Sequence, residues 1–75
     1  MIRVTVGSTL SRNTVMVNEE TTIRTILEEN SIDYSRGMTT LDGSPLQAGQ
    51  MDKTLPELGI TERCILMNVV KADNA

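Results

Sequence analysis

The sequence predicts a small α+β domain in which a mixed sheet of four to five strands packs on one α-helix. A segment in which apolar and polar residues alternate with period two predicts a strand at the start of the chain, and a long apolar run predicts another near its end. Between them lies one stripe of apolar residues at helical spacing. Glycine-containing turns separate the remaining strands. We assign residues 1–70 to a single domain and expect residues 71–75 to form a flexible, polar C-terminal tail.

The first predicted unit is a β-hairpin. Residues 2–6 alternate apolar and polar side chains and are rich in β-branched residues, which indicates a half-buried strand. Residues 7–13 are mostly polar and turn-forming, and residues 13–17 return as a second strand. A loop of several residues therefore joins two antiparallel strands.

One helix is predicted over residues 22–31. Ile23, Ile26 and Leu27 repeat at i, i+3 and i+4 and form one apolar stripe. Thr22 precedes this stripe and can cap the helix, because its hydroxyl can accept a first-turn backbone N–H. Asn30 tolerates the left-handed geometry that often ends a helix. So short a helix needs to pack its stripe on a sheet to be stable.

Two short strands and a tight turn follow the helix. Residues 38–41 predict a third strand, and Asp42-Gly43 is a strong hairpin turn signal. Residues 44–46 predict a short edge strand, because Pro45 has no N–H to donate to a central ladder.

A short helical turn and a long strand end the domain. Thr54 and Glu57 have capping-box spacing, and Gly59 can close the turn, so we expect Asp52 and Glu57 to act as local capping groups. Residues 65–70 predict the final strand. Both of its alternating sets of side chains are apolar, which places it centrally in the sheet.

The bulk composition excludes several classes of protein. The net charge is −3 and the pI is about 4.7, which argues against nucleic-acid binding and against binding to an anionic membrane. Tyr34 is the one aromatic residue, so the core must be aliphatic. The single cysteine, Cys64, forms no internal disulfide, and neither a targeting segment nor a membrane span is recognisable. We therefore expect a small acidic protein of the cytoplasm.

The sequence predicts neither a catalytic site nor a cofactor or metal site. It contains no histidine that could activate the Cys64 thiol. Acidic residues surround the helix, but without histidine or a calcium-loop spacing they are better explained as a solvated face. These residues are Glu19, Glu20, Glu28, Glu29 and Asp33. We therefore expect a protein that is not an enzyme.

Alternation along the strands predicts a binding patch on the outer face of the sheet. We expect the set containing Ile65, Met67 and Val69 to face the helix and the opposite set to face outward. In the alternative register of the final strand, Leu66 and Asn68 are buried; we disfavour it because a buried asparagine needs hydrogen-bond partners. The predicted protein-binding residues are Met16, Met38, Thr40, Leu66, Asn68 and Val70.

Several local features resemble those of ubiquitin-like β-grasp proteins, including the sulfur carriers of thiamine and molybdopterin synthesis. Their order and spacing match across nearly the whole chain. The features are Val17 six residues before Ile23 with Thr22 between them, Gly43 followed by Leu46, and Thr54-Leu55 ahead of Ile60. The resemblance implies a ubiquitin-like β-grasp fold whose outer sheet face binds partner proteins.

The resemblance also implies a carrier or modifier chemistry, in which a C-terminal Gly-Gly is activated as an adenylate. In this sequence Lys71-Ala72-Asp73-Asn74-Ala75 follows Val70, and Gly59 is the last glycine. We therefore predict a noncatalytic protein-binding module that acts through its outer sheet face. The alternatives are a sulfur carrier or conjugated modifier, and a self-associating structural protein. The expected partner is a protein, and the expected state is a monomer or weak homodimer.

Overall fold

The computed structural model of the protein describes residues 1–9 and 11–70. Within these ranges the chain forms five strands, one α-helix and two short 3-10 helices. The predicted tail, residues 71–75, lies outside the described residues. The elements in chain order are β1 (Ile2–Ser8), β2 (Arg12–Val17), α1 (Ile23–Glu29), β3 (Met38–Leu41), β4 (Ser44–Pro45), the 3-10 helices Ala48–Gln50 and Pro56–Leu58, and β5 (Arg63–Val69).

The five strands form one mixed sheet in the order β2-β1-β5-β3-β4. β1 and β5 are parallel, and the other neighbouring pairs are antiparallel. The predicted α+β class, with a mixed sheet and one helix, is confirmed. The central position of the final strand is also confirmed, because β5 lies between β1 and β3.

The helix begins where the sequence predicts and ends earlier. The Thr22 hydroxyl accepts a hydrogen bond from the backbone N–H of Thr25 at 3.3 Å, as expected of an N-cap. At the other end Asn30 has a φ of −101°, and its side chain donates to the carbonyl oxygen of Ile26 at 2.7 Å. Ser31, with a φ of 60°, takes the left-handed conformation that we predicted for Asn30.

Two predicted turns have the expected geometry. Asp42 and Gly43 have φ angles of 51° and 87°, which is the positive pair that a two-residue hairpin turn requires. In the turn after Thr54, the Thr54 N–H donates to Glu57 Oε1 at 2.8 Å, and the Glu57 N–H donates to Thr54 Oγ1 at 3.4 Å. This reciprocal pair is the predicted capping box.

An aliphatic core lies between α1 and one face of the sheet. Ile23, Ile26 and Leu27 of the helix are fully buried, and Ile2 and Val4 of β1 pack with them. We call this the inner face of the sheet, and the opposite face the outer face. The aliphatic character follows the prediction from composition.

The predicted alternation of the final strand is wrong. Cys64, Leu66 and Asn68 are the buried residues of β5, with Leu66 at 0% and Asn68 at 2% exposure. The parallel register aligns Val4 with Cys64 and Val6 with Leu66, so this set lies on the inner face with the buried set of β1. Ile65 and Val69 lie on the outer face instead.

No helix within the described ranges is long and apolar enough to cross a membrane.

Candidate binding surface

A row of apolar side chains runs along the outer face where β3 and β5 are paired, and exposed Val70 continues it just after the end of β5. Exposure is 50% for Met38, 48% for Ile65, 41% for Val69 and 45% for Val70, and Met67 is half-buried. We call these five residues the apolar row. Val69 is directly opposite Met38 in the antiparallel register. The side chains of such opposed residues are neighbours on one face, so the row is a continuous surface.

A shallow depression lies at one end of the apolar row. It has a volume of about 500 Å³ and is lined by Gly37, Met38, Thr40, Val69 and Val70. Gly37 has a φ of +72°, and a β-carbon there would lie 2.3 Å from the Val69 carbonyl oxygen. Glycine therefore lets the loop before β3 approach the end of β5, which shapes this end of the surface.

The structure places some of the predicted binding residues on this surface. Met38, Thr40 and Val70 all line the depression. Met16 is 51% exposed on the outer face, but it belongs to β2 and is opposite Arg3. Two strand spacings of about 4.8 Å each separate β2 from β5, and β1 with Arg3 lies between them, so Met16 is not part of the apolar row.

Leu66 and Asn68, also predicted as binding residues, are buried and cannot contact a partner. The sequence argues against their burial, because a buried Asn68 side chain needs hydrogen-bond partners. The structure supplies them: Asn68 Nδ2 donates to the Asp33 carbonyl oxygen at 2.7 Å, and the Thr39 hydroxyl donates to Asn68 Oδ1 at 3.5 Å. The amide thereby joins the connection after α1 to the sheet.

Sequence reasoning missed Ile65, Met67 and Val69 as surface residues. The apolar residues of β5 do not show which alternating set of side chains faces the core, because both sets are apolar. Arg63 carries the missing signal, since it belongs to the same alternating set as Ile65 and arginine is almost never fully buried without a partner.

Positive charge accumulates next to the apolar row. Arg3 and Arg63 are exposed partners in the parallel register of β1 and β5. A second depression, of about 400 Å³, is lined by Arg3, Thr5, Asp42, Arg63, Cys64 and Ile65. Asp42 Oδ1 accepts the backbone N–H of Ile65 at 2.8 Å. In the described part of the chain neither Arg3 nor Arg63 forms an ion pair.

Polar side chains around α1 form ion pairs and hydrogen bonds with each other. Arg24 Nε donates to Asp52 Oδ1 at 2.8 Å, so Asp52 forms an ion pair rather than the cap we predicted. This contact and the Tyr34 hydroxyl raise the pKa of Arg24.

In the 3-10 turn after Thr54, hydrogen bonds from Thr54 lower the pKa of Glu57.

The Cys64 thiol is poorly placed for chemistry. It is 5% exposed, and burial, with a smaller effect of the Asp42 charge, raises its pKa to about 11. A thiol with that pKa is protonated at neutral pH and is a weak nucleophile. Within the described residues no three cysteine, aspartate or glutamate side chains come together as a metal site.

Neither a protein-family model nor a curated protein matches this sequence. Its function must therefore be inferred from the surface itself, because a fold alone does not define an activity. That surface combines an apolar contact area with neighbouring arginines.

Proposed function

We propose that this protein is a noncatalytic protein-binding module that acts through the apolar row on the outer face of its sheet. We also propose that its fold is a ubiquitin-like β-grasp. The strand order β2-β1-β5-β3-β4, with parallel central strands β1 and β5, supports the fold assignment. The early position of α1, between the first hairpin and β3, supports it as well.

The observation that carries the binding proposal is the continuous exposure of the apolar row. Single exposed apolar residues are common on soluble proteins, whereas contiguous apolar patches mark interaction sites. Here the exposed residues adjoin along β5 and across the ladder to Met38. Two of the five are methionines, whose flexible side chains adapt to partners of different shape.

The size of the surface is compatible with specific binding. The accessible surface of the molecule is 5054 Å². A standard-sized interface covers about 800 Å² of each partner, which here is roughly one sixth of the total. The outer face of a five-stranded sheet can provide such an area, with the apolar row at its centre and polar threonines around it.

Replacing residues of the apolar row with glutamine, which is polar but uncharged, tests the proposal. Affinity capture from the native host, followed by reconstitution with the purified partner, would compare wild type with Ile65→Gln and Val69→Gln. We expect each variant to weaken binding by about 5-fold or more, because hot-spot residues near the centre of an interface cost more than about 1 kcal/mol when their contacts are lost. Thr14→Gln is the matched control, since Thr14 is exposed on the same face but belongs to β2.

The proposal fails if Ile65→Gln and Val69→Gln bind the reconstituted partner as tightly as wild type does. It also fails if Thr14→Gln weakens binding as much as they do, because the interface would then lie elsewhere on the sheet. Thermal unfolding of all three variants would show that each is folded before binding is compared.

A further inference from the structure

We infer that the outer face takes an acidic, apolar segment of a partner protein. Arg3 and Arg63 receive the carboxylates of this segment, and the apolar row receives its apolar side chains. The inference rests on the proposed function, because it names the chemistry of the partner for that same surface.

The geometry of the arginine pair favours an anionic ligand. Arg3 and Arg63 are opposite each other on adjacent strands, which are about 4.8 Å apart in a sheet. Both are exposed, and neither forms an ion pair with another residue in the ranges 1–9 and 11–70. Two guanidinium groups on neighbouring strands repel each other, and a carboxylate bound between them relieves that repulsion.

The depression that contains Arg3 and Arg63 has a net positive charge even when the carboxylate of Asp42 is counted. Asp42 lines the same depression as Arg3 and Arg63, and one of its oxygens accepts the Ile65 N–H. One carboxylate faces two guanidinium groups, which leaves a surplus of one positive charge. Arg12 is exposed on the same face but opposite Gly7, four residues along β1 from Arg3, so it adds positive charge to the face and not to this site.

The rest of the molecule has the opposite sign. The net charge of the chain is −3, although Arg3, Arg12 and Arg63 supply three of its seven cationic side chains to one sheet face. Glu28 and Glu29, in contrast, lie on exposed positions of α1. Complementary potentials guide partners in a preferred orientation, so an acidic partner is directed to the outer face.

The positive site and the apolar row are continuous. Ile65 lines the depression with the two arginines and is also the first member of the row. Arg63, Ile65, Met67 and Val69 project from the same face of β5, with about 6.6 Å between successive members. A segment that lies along β5 therefore meets the arginines first and apolar side chains over the next three positions.

A protein segment fits this surface better than a nucleic acid does. A nucleic acid needs cationic side chains for many successive phosphates, whereas this site offers one pair of arginines, Arg3 and Arg63. The sole aromatic residue, Tyr34, interacts with Glu28 and Arg24 beside the helix, so it gives no stacking platform on the outer face. Apolar residues beside the arginines instead suit a peptide whose acidic side chains have apolar neighbours.

A selection from random peptides tests the inference without knowledge of the natural partner. A phage-displayed library of 12-residue peptides would be selected on the wild-type protein, and enriched peptides would be synthesised for fluorescence anisotropy. We expect enrichment of peptides that carry aspartate or glutamate next to aliphatic residues. We expect Arg3→Gln and Arg63→Gln each to weaken their binding about 3-fold or more, because each removes a charge-assisted contact with a peptide carboxylate.

Lys53→Gln is the matched control, because it also removes one exposed positive charge but lies in the turn before Thr54. It should leave the affinity unchanged. Raising the NaCl concentration from 50 to 500 mM should weaken the wild-type affinity several-fold and affect the double variant Arg3→Gln/Arg63→Gln much less. Thermal unfolding would establish that each arginine variant is folded.

The outcomes separate this inference from the proposed function. Enriched peptides that are neutral or basic, and that depend on Ile65 but not on Arg3 or Arg63, would overturn the inference and leave the proposed function standing. Peptides that depend on none of these residues would overturn both. Binding of a 12-nucleotide oligothymidylate with the same dependence on both arginines, and tighter than the peptides, would overturn the assignment to a protein segment.

Discussion

Asn68 determines how the connection after α1 is held against the sheet. Its amide is 2% exposed and donates to the carbonyl oxygen of Asp33, 35 residues earlier in the chain, at 2.7 Å. Replacing it with alanine leaves this carbonyl and the Thr39 hydroxyl without that partner. We expect Asn68→Ala to lower the free energy of unfolding by about 1–3 kcal/mol.

Chemical denaturation would measure this loss, and hydrogen exchange should show faster opening in residues 33–37. Asn13→Ala is the control, because Asn13 is an exposed strand residue of β2. It should change the free energy of unfolding by less than about 0.5 kcal/mol. Equal losses in both variants would mean that the Asn68 amide contributes nothing specific to stability.

Titration of the Cys64 thiol makes the folded protein less stable at alkaline pH. Burial raises the pKa of its thiol from 9.0 to about 11 in the folded protein. Between these values the unfolded chain releases the thiol proton while the folded protein keeps it, so stability falls as the pH rises from about 9 to 11. The contribution is fully present below pH 9.

Cys64→Ala should flatten this part of the pH profile, because alanine does not titrate. Urea denaturation at pH 8, 9 and 10 would compare the two proteins. In native wild type, alkylation of the thiol by iodoacetamide should also be slow at pH 8 and become fast in urea. Rapid alkylation of the folded protein at that pH would contradict the raised pKa.

The features that were predictable at the residue scale are local ones. The Thr22 cap, the Asp42-Gly43 turn and the Thr54–Glu57 capping box each depend on residues within a few positions of one another. The burial of Asn68 was not predictable in this way, because its partners come from the loop after α1 and from β3. A local rule against buried asparagine therefore gave the wrong result.

At the scale of elements, β5 decides which side chains form the surface. Leu66 is fully buried and Ile65 is 48% exposed, although the two are adjacent and similarly apolar. We expect Leu66→Ala to lower the free energy of unfolding by about 2–5 kcal/mol, as for other buried leucines. Ile65→Ala should cost no more than about 1 kcal/mol, chiefly through lower β propensity.

Equilibrium denaturation of the two variants under the same conditions would measure this difference. Similar losses in both, or a larger loss for Ile65→Ala, would contradict the assignment of Leu66 to the core and of Ile65 to the outer face. That result would also remove Ile65 from the apolar row.

The existence and order of the elements were predictable, whereas the orientation of the last strand was not. Helical spacing located α1, and turn residues separated β3 from β4. Alternation identified β1 and β2 because only one set of side chains there is strongly apolar. In β5 both sets are apolar, so hydrophobicity could not fix the face, and the binding residues on that strand were assigned to the wrong set.

At the scale of the whole molecule, opposite charges are separated between its two sides. Three arginines lie on the outer face, and the exposed glutamates of α1 lie on the helix side. This separation distinguishes two kinds of association through the apolar row. An acidic partner would be attracted to the outer face, whereas a two-fold symmetric dimer would bring two positively charged outer faces together.

We therefore expect self-association through the apolar row to strengthen as salt is added. Repulsion between the outer faces acts over about 10 Å at 0.1 M salt and is confined to about 3 Å at 1 M. Sedimentation equilibrium should find a monomer at 50 mM NaCl and a growing dimer fraction at 1 M. Arg3→Gln/Arg63→Gln should raise the dimer fraction at low salt, and adding Val69→Gln should lower it again. A dimer that dissociates on addition of salt would instead be held by opposite charges, with the outer face of one copy against the acidic helix side of another.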